Sequence, residues 1–404
     1  MVDKGAGAPV PDVFEPPPGN PRFPYFDGLR AAAAVGVLLG HCAGASGIAA
    51  TSGIGHVIGN LQMGVTVFFV ISGFLLYRPF VAGDMAGRGH PKTVTFYRRR
   101  VLRIFPAYWF ALLAVSLLPG VISVFGPGWW RYFLLVQNYS GFEFTFARGI
   151  GPAWSLSVEV AFYALLPIAA LGMRMLGGSD PARRLKGDLL VLAAVAILSA
   201  ASRYWFTSQI VSDGFFADPF HLTAILTLPL YATWFAIGMA FASLSAWRHN
   251  SGSNPSWLSA LERRPGLVWL AATAAFLALT ATTPVLTQGE FPAHHLITGL
   301  VAGLLVFPAA FPAAGGTGLP GRLLSLRPVA WIGLISYGVY LWSTPILQAL
   351  VYEGVLDARF PFVTVTVSVL ILAIAAGAFS YYVIERPFLR RKEPRRRPPA
   401  IAAG

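Results

Sequence analysis

Residues 26–50 read FDGLRAAAAVGVLLGHCAGASGIAA. The stretch is apolar and long enough to cross a hydrocarbon core of about 30 Å, yet it carries Asp27, Arg30 and His41. At about 1.5 Å and 100° per residue, the eleven steps from Arg30 to His41 make about three turns and about 16 Å, so both side chains lie on one face. Asp27 lies one turn before Arg30 on nearly the same stripe, and small or apolar residues fill the space between. A bland reading makes Asp27 and Arg30 an interfacial pair and His41 an interhelical hydrogen bonder. Ionisable groups inside a membrane span are more often functional, and this line suits a cavity wall.

The rest of the 404-residue chain agrees with a membrane setting. It is 55% hydrophobic and only 12% charged, and apolar blocks recur near 28–47, 61–81, 103–121, 153–173, 188–206, 222–246, 267–284, 295–313, 330–351 and 362–384. These predict an all-α polytopic bundle of about ten transmembrane helices, since lipid-exposed backbone must satisfy its own hydrogen bonds and no alternating strand pattern occurs. A net charge of +13 invites a nucleic-acid partner, but position argues otherwise. With the N-terminus in the cytoplasm, all Lys and Arg except Arg131, Arg148, Arg203 and Arg359 fall on the cytoplasmic side. The positive-inside rule therefore accounts for most of the basicity, no nucleic acid is expected, and both termini are expected to be cytoplasmic.

Residues 1–25 are Pro-rich and aperiodic and read as a disordered cytoplasmic lead; they lack the charged start before an apolar core that a signal peptide needs. Residues 26–390 form the transmembrane domain. Residues 391–404 read as a basic cytoplasmic tail touching anionic lipid. Cys42 is the only cysteine, and the seven histidines show no metal-ligand spacing, so neither a disulfide framework nor a metal is expected.

Three further blocks carry candidate chemistry. The second helix places Ser72 and Gly73 among bulky residues, where small side chains permit close helix contact. YRRRVLRIFPAYW, residues 97–109, puts Arg100 and Arg103 one turn apart at a membrane boundary. Anchoring explains the neighbouring basic residues, while this pair also suits the phosphates of a nucleotide-containing cofactor. The aromatic segment GWWRYFLLVQNYSGFEFTF, residues 128–146, reads as interfacial, re-entrant or a lid. WSLSVEVAFY, residues 154–163, places Glu159 inside a span with Ser155 and Tyr163 one turn to either side. Depths counted from the expected helix ends put Glu159 level with His41, as a base and its orienting partner. Arg203, His221, His294 and His295 read as interfacial. The stripe Ser336, Tyr337, Tyr340, Trp342 and Ser343 is suited to line a cavity, and Glu385 marks the last boundary.

Taken together, FDGLRAAAAVGVLLGH, FFVISGFLL, RRRVLRIFPAYW, WSLSVEVAFY, SYGVYLW and YYVIERPF resemble, in order, the acyltransferase-3 family of membrane O-acyltransferases. The resemblance covers about residues 25–390. It implies transfer of an acyl group, acetyl foremost, from cytoplasmic acetyl-CoA or another acyl-CoA to a hydroxyl of a glycan, a lipid-linked sugar or a macrolide, in the bacterial cytoplasmic membrane. It implies catalytic roles for His41, Arg30 and Glu159 and donor binding by Arg100 and Arg103; Asp27, Ser72, Tyr340 and Trp154 complete the expected substrate contacts. Where many members carry a second histidine this chain has Ser343, and it stops soon after the ERPF block, so a second transfer step is expected to need a separate protein. An acyl-histidine relay stays open as a route. So does a rival class, a transporter or flippase of glycosylated or acylated lipid, for which a polar stripe in a bundle would serve equally.

Overall fold

The computed structural model describes residues 25–141, 148–178, 180–213, 219–282, 292–313 and 316–390. The expected disordered lead and basic tail lie outside the described residues, apart from Tyr25. Ten helices of 18 or more residues occur among them: α1 (Tyr25–Ala45), α2 (Gly64–Met85), α3 (Thr93–Val115), α4 (Ala153–Gly177), α5 (Pro181–Asp213), α6 (Leu228–Ser251), α7 (Pro265–Thr282), α8 (Pro292–Ala310), α9 (Arg327–Tyr352) and α10 (Pro361–Phe379). Eight spans are long and apolar enough to cross a membrane on their own, and a ninth is added if α7 is taken with Ser256–Glu262, at an 80° bend. The remaining long helix, α3, begins ten residues before the expected start at 103. Its first half carries Arg98, Arg99, Arg100 and Arg103, which the sequence reading had placed in a loop or at its edge.

Small residues set how closely these helices approach. A Cβ on Gly73 would fall 2.3 Å from the Phe235 carbonyl oxygen, and one on Gly238 would fall 2.0 Å from that of Val70, so α2 and α6 touch backbone to backbone. Gly333 brings α9 against Asp27 of α1 in the same way. At the Arg30 end of the bundle, α2, α5 and α6 are fastened by a buried polar knot. Arg184 donates to Asp188 at 2.8 Å and to Asp84 at 3.0 Å, and Asp188 also accepts from Tyr77 and Ser243, both at 2.8 Å. Every member is hydrogen-bonded, the condition under which charge survives burial.

Three helices around the site run the same way. On α1 and α9, Asp27 meets Gly333 at one end and His41 meets Thr344 at the other. On α3 and α9, the Tyr337 hydroxyl donates to the Ile104 carbonyl at 2.9 Å, and Phe110 lies 6.0 Å from Trp342. Helix α4 runs against them, since Tyr97 near the start of α3 donates to Ala164 while Ser155 meets Tyr340 further along α9.

The segment before α4 enters the bundle. Gln137 and Asn138 are fully buried, Asn138 Nδ2 donates to the Trp154 and Leu226 carbonyls, and Ser157 Oγ donates to the Leu135 carbonyl. Of the sequence alternatives for this segment, an inward dip fits the described residues. The start of α4 is thereby sunk: the Pro152 carbonyl accepts a hydrogen bond from Tyr340, which stands at the middle of α9.

Candidate functional site

A cavity of about 260 Å³ lies among α1, α2, α3, α4 and α9. From α2 come Phe68, Phe69, Ser72, Leu75 and Leu76, at the three- and four-residue steps of one helix face. Ser155, Glu159 and Tyr163 follow each other by single turns on α4, and α9 adds Ser336, Tyr337 and Tyr340. Arg30, Arg100 and Arg103 line one end.

The charges in this space are unequal. Glu159 is the one carboxylate on the lining, and it accepts from Ser72 Oγ at 2.6 Å and from the Tyr163 hydroxyl. Three guanidinium groups face the same space. Arg30 is 3.7 Å from Asp27, and Arg103 is 3.6 Å from Glu385, a carboxylate just behind the lining in the π-helical turn Ser380–Glu385 that follows α10. Arg100 stands 5.8 Å from the centroid of the Tyr163 ring, and its buried Nε has no hydrogen-bond partner among the described residues. A cluster with an orphaned donor and part-exposed forks has the chemistry to take an anion, since guanidinium presents its N–H groups in the geometry phosphate oxygens accept. These residues therefore fit the phosphates of an acyl-CoA.

His41 is absent from that lining. Its Nδ1 lies 3.1 Å from Thr344 Oγ1, and Thr344 is one turn beyond Tyr340 on α9. The expectation that Glu159 or Asp27 holds the imidazole is not met. Glu159 lies one turn from Ser155 towards the arginines and Thr344 one turn from Tyr340 away from them, which separates carboxylate and imidazole by about 12 Å along the bundle. The level placement failed because it started α4 at the membrane boundary, whereas the buried segment before it sinks that start to the middle of α9.

Two other expected substrate contacts lie off the cavity. Trp154 turns to Tyr231, with ring centroids 5.2 Å apart, because its neighbour Ser155 takes the cavity face. Asp27 reaches the site only through Arg30. Arg203, His294 and His295 are buried between helices, at 5%, 8% and 3% exposure: Arg203 stands over the Tyr231 ring at 4.8 Å and His295 stacks on Trp234 at 4.3 Å. Thr344 and the role of Glu385 were missed. The four-residue step from Tyr340 to Thr344 was the available signal for the first; nothing in the sequence pairs Glu385 with Arg103.

The class defined by this architecture is a polytopic helical membrane protein with a cavity between its helices and an arginine cluster at one end of it. The chain belongs to the acyltransferase-3 family: the family described as an acyltransferase domain matches residues 23–382. Among curated relatives, the peptidoglycan O-acetyltransferase OatA of Listeria monocytogenes is 24% identical over 80% of this chain and 49% of its own length. The O-acetyltransferase OatA of Staphylococcus aureus strain NCTC 8325 is 23% identical over 92% of this chain and 58% of its own. The chain thus spans about half the length of these relatives. No solved structure matches it.

Proposed function

We propose that this protein is a membrane O-acyltransferase that moves an acetyl group from coenzyme A to a hydroxyl of an envelope glycan of the peptidoglycan type. The observation that carries the reading is the convergence of Arg30, Arg100 and Arg103, with the orphaned Arg100 Nε, on one end of a cavity of about 260 Å³. The family and the names of the relatives support acyl transfer over the transporter or flippase reading. The glycan acceptor rests on those names alone.

In this reading the arginines hold the donor phosphates at the cytoplasmic end. Glu159, fixed by Ser72 and Tyr163, accepts hydrogen bonds from amide N–H groups of the pantetheine arm. His41 is the general base. In the tautomer this requires, Nδ1–H donates to Thr344 Oγ1, so the unprotonated Nε2 takes the proton from the acceptor hydroxyl as that oxygen attacks the thioester carbonyl. The new C–O bond forms, the C–S bond breaks, and the imidazolium returns its proton to the departing thiolate. Thr344 thus takes the orienting part first given to Glu159.

The test uses purified full-length protein in nanodiscs with radiolabelled acetyl-CoA and a soluble glycan acceptor. Replacing Arg100 and Arg103 by Gln is expected to raise the donor KM at least about tenfold, the loss of two charge-assisted contacts, while the acceptor KM moves little. Equal effects on both substrates would return the arginines to membrane anchoring.

A further inference from the structure

At the end of the cavity away from the arginines, the Tyr340 hydroxyl and Ser155 Oγ are 2.7 Å apart, and each makes a 3.1 Å hydrogen bond to the Pro152 carbonyl. The Phe68 ring stands edge-on to the Tyr340 ring at 6.1 Å. Tyr340 is 6% exposed and Ser155 4%. A phenol fixed at its oxygen and at its face is a rigid stop, unlike the adaptable thioether of a methionine. Phe68, Phe69 and Leu156 give the lining beside it an apolar side, Ser72 and Ser336 a polar one, while Glu159 stands one turn nearer the arginines. With its hydroxyl engaged by Ser155 and Pro152, Tyr340 has its ring face left to meet the tip of a ligand. The cavity is smaller than the about 300–1,000 Å³ usual for ligand sites.

We propose that the Tyr340 ring, pinned by Ser155 and Phe68, sets the length of acyl chain this protein accepts, admitting acetyl and excluding longer acyl groups. The inference rests on the donor reading above. If the arm enters from the arginines, the acyl carbon meets this ring, and each added methylene must displace it. Removing the ring lengthens the cavity along α9.

The experiment is displacement of radiolabelled acetyl-CoA from the full-length protein in nanodiscs by unacylated, acetyl-, butyryl- and hexanoyl-CoA. Each constant is divided by the same variant's constant for unacylated CoA, which removes differences in folded fraction. The native protein should bind hexanoyl-CoA at least about tenfold more weakly than acetyl-CoA, the scale set by an unaccommodated methylene. Tyr340→Ala should shrink that ratio to within about threefold, and Tyr340→Phe, which keeps the ring, should retain it. Phe68→Ala should move the ratio in the same direction as Tyr340→Ala and carries the test if that variant does not fold. Equal binding of all chain lengths by the native protein, or an undiminished penalty in both alanine variants, overturns the proposal and leaves the donor reading standing. Absence of saturable CoA binding, or binding indifferent to Arg100→Gln with Arg103→Gln, overturns both.

Discussion

His41 Nδ1 faces Thr344 Oγ1 at 3.1 Å across the parallel contact of α1 and α9, and the carboxylates once expected to hold the ring are bonded elsewhere. A neutral hydroxyl partner orients an imidazole without supplying a countercharge to the imidazolium. In the proposed mechanism the base therefore depends on Thr344 for direction and on the transition state itself for charge.

Thr344→Val, nearly the same shape without the hydroxyl, should lower kcat by about tenfold while donor and acceptor KM stay within twofold, since losing one orienting hydrogen bond costs about 1 kcal/mol or slightly more. Thr344→Ser should recover most of the loss. In a His41→Ala background the Thr344→Val change should add nothing, because a residue acting through the ring has no route without it. Steady-state kinetics on the four proteins decide the matter; additive losses would make Thr344 a packing residue.

Glu159→Gln should act on donor binding more than on turnover, as expected of a carboxylate bonded to Ser72 and Tyr163 inside the proposed donor cavity. A rise in acetyl-CoA KM of about tenfold is expected from the loss of a charged hydrogen-bonding partner. A fall in kcat with unchanged KM would instead restore its pairing with the reacting groups.

Glu385 is 1% exposed and pairs with Arg103 from outside the cavity lining. Glu385→Gln should leave Arg103 without its buried countercharge and raise the donor KM by about threefold to tenfold with kcat near native. Glu385→Asp should fall between. The split between KM and kcat, measured beside detergent-solubilised thermal stability, separates positioning from mere structural support.

How far the site was legible follows from which elements it depends on. The Arg30–His41 stripe needed only helical periodicity, and Arg100 with Arg103 needed only a one-turn step; the cavity places Arg30, Arg100, Arg103, Ser72, Glu159 and Tyr340 on one lining. The relation of His41 to Glu159 was not legible, because it depends on where α4 begins in depth, and that is set by the buried packing of Gln137 and Asn138. Likewise, the start of α3 at Thr93 was masked by four arginines that look like a loop when read one by one but occupy a continuous helix. The ion pair of Arg103 with Glu385 joins residues nearly 300 positions apart, beyond any local pattern.

Gly238→Val places a branched side chain where even a Cβ would lie 2.0 Å from the Val70 carbonyl oxygen. The α2–α6 contact would have to open, at a cost of about 1–3 kcal/mol or more as overpacking usually demands. Thermal unfolding in detergent should shift downward markedly, while Gly266→Ala, where nothing lies within 4 Å, should leave it within error. Equal stability of the two variants would contradict the backbone-to-backbone packing.

Orientation is open to a direct check. Reporter fusions after Arg88 and after Arg397 are expected to read cytoplasmic, and one after Gly289 to read external, from the distribution of basic residues. An external signal after Arg88 would put the arginine end on the wrong side for a cytoplasmic donor.

The most direct measurement is acetyl transfer by His41→Ala, followed as radiolabel moving from acetyl-CoA to the glycan acceptor, beside acetyl-CoA binding by the same preparation. On the proposal that the imidazole serves as base, turnover should fall by at least about a hundredfold, the usual scale for a general base, while acetyl-CoA binding at the arginine end persists. Turnover near the native rate in a His41→Ala protein that binds donor normally would contradict the mechanism and leave His41 as the hydrogen-bonded neighbour of Thr344.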